Sequence, residues 1–247
     1  MNKKLKSLLL VVAAVGVLAG CGEEKSDKLT MVTSADYPPF EYIDTTGGGK
    51  YVGIDVEVAE AITEKLGYEL EIKDMDFGGL IQSLQSNQAD FAMAAMTIDE
   101  KRKESVDFSD TYYMANHAVI SLKDSGIATE EDLAGKKVGA QLGTIQEEKL
   151  IELEESIGLE AENRNKVPEL IQELKSKRLD AIIVEDTVAK GFLEANSELQ
   201  SFTIEDSEGG YAIAFPKNSK LVDEFNTALK ELLADGTIES IIKKYYE

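Results

Sequence analysis

Asp90-Phe91-Ala92-Met93-Ala94-Ala95-Met96-Thr97-Ile98-Asp99-Glu100-Lys101-Arg102 is the stretch on which the fold turns. The apolar run from Phe91 to Met96 has the length of a buried strand. Thr97 followed by Glu100 has capping-box spacing and predicts a helix beginning at Thr97. A strand running into a helix leaves backbone N–H groups unpaired beyond the sheet, where they can hold an anion. Arg102, in the first turns of that helix, adds a two-pronged grip suited to a carboxylate.

The approach to this stretch occurs twice. Residues 77–90 read FGGLIQSLQSNQAD and residues 167–180 read VPELIQELKSKRLD. At an offset of 90, Leu80, Ile81, Gln82, Leu84, Ser86 and Asp90 match Leu170, Ile171, Gln172, Leu174, Ser176 and Asp180. Each copy reads as an amphipathic helix, a turn and an apolar strand, and the second strand, Ala181 to Val184, ends at Glu185. Two similar α/β lobes follow, and open α/β sheets bind ligands beyond the carboxyl ends of their strands. If the lobes face each other, Ala95 and Arg102 on one confront Glu185 on the other. A positive group opposite a negative one suits a zwitterion.

Outward from the repeat, the remaining elements alternate in the same way. Strands are expected at Leu29–Thr33, Glu69–Lys73, Asn116–Leu122, Lys137–Gln141, Glu160–Arg164 and Tyr211–Phe215. Helices are expected over Val56–Leu66 with Asp55 as N-cap, from Gly143-Thr144-Ile145-Gln146 to Ile157, over Leu221–Leu233 and over Ile238–Tyr246. Pro38 and Pro39 fix an extended loop that offers Tyr37 to the cleft and Phe40 to the core. Phe77 opens the first repeated helix at another strand end. The N–H groups of Thr144 and Ile145 are further carboxylate donors.

The first residues read as an export signal. Lys3, Lys4 and Lys6 precede an apolar run, Leu8 to Leu18, too short to span a bilayer comfortably. Leu18-Ala19-Gly20-Cys21 resembles the lipobox of bacterial lipoproteins, which implies cleavage before Cys21 and acylation of its sulfur. The expected division is 1–20 signal peptide, 21–28 tether, 29–117 with 214–247 as the first lobe, and 118–213 as the second. Cys21 is the only cysteine, so no internal disulfide is expected. His117 is the only histidine, and no metal site or cofactor is expected. A formal charge of −21 disfavours nucleic acid as a partner.

These residues resemble the family 3 extracellular solute-binding proteins, receptors of ABC importers for polar amino acids. The resemblance runs through Tyr37-Pro38-Pro39-Phe40-Glu41, Gly53-Ile54-Asp55-Val56, Met96 to Arg102, Val106-Asp107-Phe108-Ser109, Val138-Gly139, Gly143-Thr144 and Asp180-Ala181. Asp124 to Ile127, Gln141-Leu142-Gly143, Ile145 to Lys149 and Ile183 to Asp186 look most like the arginine-binding lipoprotein subgroup. The resemblance implies a type II two-lobed α/β fold joined by two crossing strands, and a lipid-anchored protein on the extracellular face that serves a permease. It implies that Arg102 binds the ligand α-carboxylate with the N–H groups of Thr97 and Ile145. Glu185 takes the α-ammonium with the Ala95 carbonyl and the Thr97 hydroxyl. Tyr37 and Phe77 flank the side chain, Gln141, Gln146 and either Asp36 or Glu41 cap its far end, and Met96 and Thr144 complete the lining. Arginine is the first choice, with lysine, histidine and ornithine next. The competing readings are a cleft enzyme of the prephenate or arogenate dehydratase type, in which Glu185 would be a general acid, and a ligand-sensing domain.

Overall fold

The computed structural model describes residues 28–204 and 209–246. The expected signal peptide, Cys21 and all of the expected tether but Lys28 lie outside the described residues. The first half of the chain runs β1 (Lys28–Thr33), β2 (Asp36–Tyr37), β3 (Glu41–Asp44), β4 (Lys50–Val52), α1 (Ile54–Leu66), β5 (Glu69–Asp74), α2 (Leu80–Gln85), β6 (Phe91–Ala92), α3 (Glu100–Ser105), β7 (Val106–Phe108) and β8 (Tyr113–Ala115). It continues through β9 (His117–Leu122), β10 (Lys137–Gln141), α4 (Ile145–Ile157), β11 (Glu160–Arg164), α5 (Val167–Lys175), β12 (Ala181–Glu185), α6 (Asp186–Ala195), β13 (Leu199–Thr203) and β14 (Gly209–Tyr211). β15 (Ala214–Pro216), α7 (Leu221–Ala234) and α8 (Thr237–Lys244) complete it.

Two five-stranded sheets organise two lobes, in the orders β5-β1-β6-β15-β7 and β11-β10-β12-β9-β13. The orders correspond: in each, a central strand pairs in parallel with one strand on either side, and an antiparallel strand follows. The sequence repeat is also a repeat of hydrogen bonds. Asp90 takes the N–H of Thr30 at 2.7 Å, and Asp180 takes that of Lys137 at 2.9 Å. Asn87 and Lys177, ninety positions apart, both adopt left-handed backbone (φ 53° and 57°) as each helix turns into its strand. The chain passes between sheets along β8 and β14, which pair antiparallel with each other.

Phe40, Tyr112, Tyr113 and Tyr211 pack around this crossing, with Phe40 edge-on to Tyr113 and to Tyr211 at centroid distances of 5.0 and 5.1 Å. The first lobe's core joins Met31, Ile54, Val58 and Ile62 to the mutually packed rings of Phe91, Phe215 and Phe225, and the second lobe's is aliphatic, built from Val138, Leu150, Leu170 and Ile183. Among the described residues no helix is long and apolar enough to cross a membrane.

Several expected boundaries move, each for a local reason. The run from Phe91 to Met96 is strand only at Phe91–Ala92. Beyond it the Asp55 carboxylate draws in the Ala95 N–H at 2.8 Å, and Ala95 turns left-handed (φ 45°). The helix expected at Thr97 begins instead at Glu100. Thr97 bridges to Tyr211 and Ile98 donates to the Gly210 carbonyl, which hold the chain extended until Asp99 caps Arg102 N–H at 2.8 Å. Asp55 is not an N-cap. Gly53 holds that place, and a Cβ there would lie 2.1 Å from the Phe40 carbonyl oxygen, so only glycine lets the helix start against that loop. Phe77 sits in a 3-10 turn, Phe77–Gly79, ahead of α2. The strand expected at Tyr211–Phe215 is two strands, β14 in the crossing and β15 in the first sheet.

Candidate functional site

Strand ends from both sheets meet in one cavity. β1 leads to Tyr37 and Glu41, β5 to Phe77, and β6 to Ala94, Ala95 and Thr97, with Arg102 behind them on α3. From the other side β10 delivers Gln141, Thr144, Ile145 and Gln146, and β12 delivers Glu185. Together they line one narrow cleft between the two sheets.

Arg102 is 7% exposed. Its Nη1 donates to the Thr97 carbonyl at 2.6 Å, its Nη2 to the Gly143 carbonyl of the other lobe at 3.1 Å, and its Nε pairs with Asp99 at 2.9 Å. A guanidinium carries five N–H donors, so two stay available to a ligand. Burial lowers its pKa, and Asp99 and Glu148 oppose that shift. The guanidinium carbon lies 5.5 Å from the Phe77 ring centroid, so Phe77 positions this cation as well as lining the cavity.

Glu185, the last residue of β12, is 4% exposed. Its Oε1 accepts from Gln146 Nε2 at 2.7 Å, while Oε2 has no hydrogen-bond partner. Burial pushes its carboxyl up to about 8, so the neutral form is favoured until a positive group lies against it. The Glu185 N–H faces the Tyr37 hydroxyl at 3.4 Å, which brings Tyr37 across from the first lobe.

Glu41 is 1% exposed, lines the same cavity and keeps Oε2 unpartnered. Burial holds its carboxyl well above the ordinary range, and the neighbouring Asp55 and Asp36 add to the effect. Thr144 caps α4 by accepting the Glu147 N–H at 3.2 Å, and its hydroxyl donates to the Gln141 carbonyl at 2.7 Å. The first turn of α4, with Ile145 at its start, therefore faces the cavity.

Two expected ligand contacts, Asp36 and Met96, lie outside the cavity lining, and two that do line it also bond to protein groups. Gln146 donates one amide N–H to Glu185 and so orients that carboxylate. Gln141 donates to the Asn165 carbonyl at 2.9 Å. Asp36 lies outside the lining. It accepts from Ser34 Oγ at 2.8 Å and from the Val167 N–H at 3.1 Å, so it joins the first lobe to the start of α5 in the second. Met96 is fully buried among Val32, Leu80, Leu84 and Val106, and its carbonyl accepts the Ala212 N–H, so it does not line the cavity.

The structure adds Asp55, Tyr112 and Tyr211 beneath the cavity. Asp55 is fully buried, with one oxygen on the Ala95 N–H and the other taking the Tyr112 hydroxyl at 2.7 Å. The one sequence cue was an acid set between apolar Ile54 and Val56, and helix capping accounted for it equally well.

Two similar lobes, a double crossing and a charged cavity between strand ends define a two-lobed binding protein of the type II kind. The chain belongs to the bacterial extracellular solute-binding proteins, family 3, whose family model matches residues 29–247. Membership makes it a solute receptor rather than a catalyst. It is 50% identical over 252 residues to the arginine-binding extracellular protein ArtP of Bacillus subtilis (strain 168), with 98% of each chain covered. Among solved structures it is similar to an ancestral arginine-binding protein bound to arginine, at 40% identity and a TM-score of 0.84, covering 90% of this chain and 99% of the other. An ancestral arginine-binding protein bound to glutamine is 38% identical with a TM-score of 0.82, covering 89% of this chain and 98% of the other.

Proposed function

We propose that this protein is the extracellular receptor of an ABC importer, that it captures a cationic amino acid, arginine first, and that it hands its ligand to a membrane permease. The observation that carries the reading is that Arg102 and Glu185, one from each lobe, line the same cavity. Arg102 receives the α-carboxylate with its two spare N–H groups, aided by the N–H groups of Thr97 and Ile145. Glu185 receives the α-ammonium through its unpartnered Oε2, beside the Ala95 carbonyl and the Thr97 hydroxyl. The ligand side chain runs between Tyr37 and Phe77 toward Glu41, whose carboxyl lines the cavity and is the acceptor for a guanidinium or ammonium group. Flanking rings add about 0.5–2 kcal/mol for a cation.

Lobe 29–117 with 214–247 and lobe 118–213 rotate about the crossing strands, and contacts from both lobes stabilise the closed form. A lipid on Cys21 keeps the receptor at the outer face of the membrane. Support for the ligand class comes from the acids in the cavity and from the 50% identity to an arginine-binding protein.

A thermal-shift screen of the twenty amino acids and ornithine tests the reading, because a ligand that binds only the folded chain raises its melting temperature. Arginine is expected to give the largest shift, with lysine, histidine and ornithine behind it. No shift with any of these four overturns it.

A further inference from the structure

Asp55 and Glu41 form a buried pair of acids with no cation of their own. Both belong to the first lobe, at the start of α1 and of β3, so opening the cleft leaves the pair together. Glu41 reaches the cavity and Asp55 lies beneath it. Asp55 is committed as an acceptor, with the Ala95 N–H on one oxygen and the Tyr112 hydroxyl on the other. The Asp55 N–H donates to the carbonyl of Phe40, the residue before Glu41, at 2.9 Å, so the chain sets these two buried acids side by side, and neighbouring buried carboxyls favour holding one proton between them.

The ionisable groups around the pair make its double ionisation harder. Asp36 on β2 is a third acid, and Tyr112, ahead of β8, and Tyr211, on β14, are buried phenols. Across the cavity stand Glu185 and the already committed Arg102. Burial pushes the Asp55 carboxyl up to about 6 and holds that of Glu41 well above its ordinary range.

We propose that Asp55 is a positioning residue that sets the cavity's preference for a charged ligand side chain, by sharing one proton with Glu41 that the arriving cation displaces to solvent. The inference rests on the cationic-ligand reading above and deepens it. In the empty site the pair carries a single negative charge and one proton. A guanidinium or ammonium against Glu41 makes both carboxylates affordable, the shared proton goes to the buffer, and the ion pair forms. A neutral side chain such as that of glutamine leaves the proton where it is. Affinity for arginine therefore rises with pH, approaching one decade per unit below the pair's release range and levelling above it, whereas affinity for glutamine lacks that component. Glu185, which meets the α-ammonium of either ligand, contributes equally to both and cancels in the comparison.

Calorimetric titration at pH 7 in buffers of different ionisation enthalpy counts the protons released. Arginine is expected to release about one more proton than glutamine, and Asp55→Asn, which keeps an acceptor for the Ala95 N–H and has no carboxyl proton to share, is expected to remove that excess and flatten the arginine pH profile. Either comparator decides alone should glutamine bind too weakly or the variant fold poorly. Equal proton counts for the two ligands, or an excess that survives Asp55→Asn, overturns the inference. Absence of arginine binding altogether overturns the functional reading and this inference with it, an outcome distinct from binding without the extra proton.

Discussion

At the scale of single residues, the site depends on buried charges that the protein leaves half answered. Glu185 illustrates the cost. Its carboxyl titrates near 8 in the closed empty chain against an ordinary value of 4.5, so between those limits the folded chain holds a proton that the unfolded chain has lost. Stability of the empty protein then falls as pH rises through that window, by at most about 1.4 kcal/mol per unit, and flattens above pH 8. Melting curves between pH 5 and 8 are expected to show this slope, and Glu185→Gln is expected to reduce it, because glutamine has no proton to lose. Saturating ligand should reduce it too, since an ammonium keeps Glu185 ionised.

The two rings are also not equivalent. Phe77 supports the Arg102 guanidinium, so Phe77→Ala is expected to weaken every amino acid ligand, whereas Tyr37→Ala should weaken arginine and lysine more than glutamine. Affinities measured by titration across these ligands separate the two effects, each worth about 0.5–2 kcal/mol.

At the scale of elements, what the sequence made legible was the periodic part. Lys137–Gln141 and Glu160–Arg164 are strands to the residue, and the 90-residue repeat, read from a few matched letters, reappears as paired carboxylate-to-backbone bonds at Asp90 and Asp180. Arg102, Glu185, Tyr37, Phe77 and Glu41 meet in one cavity, as a strand-end reading expects. What was not legible depended on contacts distant in sequence. No local pattern reveals that Asp55 reaches Ala95 across forty residues, or that β14 holds Thr97 extended and delays α3. Gln141 and Gln146 have the right polarity for a ligand, and only the fold shows that each also donates an amide N–H to a protein group.

Packing within an element is as sharply set. A Cβ on Gly139 of β10 would fall 2.6 Å from Leu170 Cδ2 and 2.7 Å from Leu179 Cδ1. Gly139→Ala is expected to cost about 1–3 kcal/mol in denaturant unfolding, through overpacking against α5, with the cavity residues unchanged.

At the scale of the whole molecule, the cavity exists because two lobes touch at a few small, polar points. Arg102 to the Gly143 carbonyl, Asp36 to the Val167 N–H and Asn165 to Asp76 at 3.1 Å bridge the gap, with the exposed Lys101–Glu148 pair at its rim. Gly143 has left-handed backbone (φ 82°), and a Cβ there would stand 3.0 Å from Gly78 Cα in the facing lobe. Gly143→Ala is expected to hold the lobes apart and to weaken all ligands by a similar factor, about 5–30-fold for a penalty of ~1–2 kcal/mol. Titration with arginine and glutamine checks that uniformity.

The account stands on one guest being clasped at opposite poles by Arg102 and Glu185. Calorimetric titration of L-arginine into the wild-type chain, Arg102→Ala and Glu185→Gln tests it most directly. The account predicts one saturable site in the wild type and a loss of about 2–5 kcal/mol of binding free energy in each variant, because each removes one partner of a buried charge pair. Wild-type affinity preserved in both variants would contradict it.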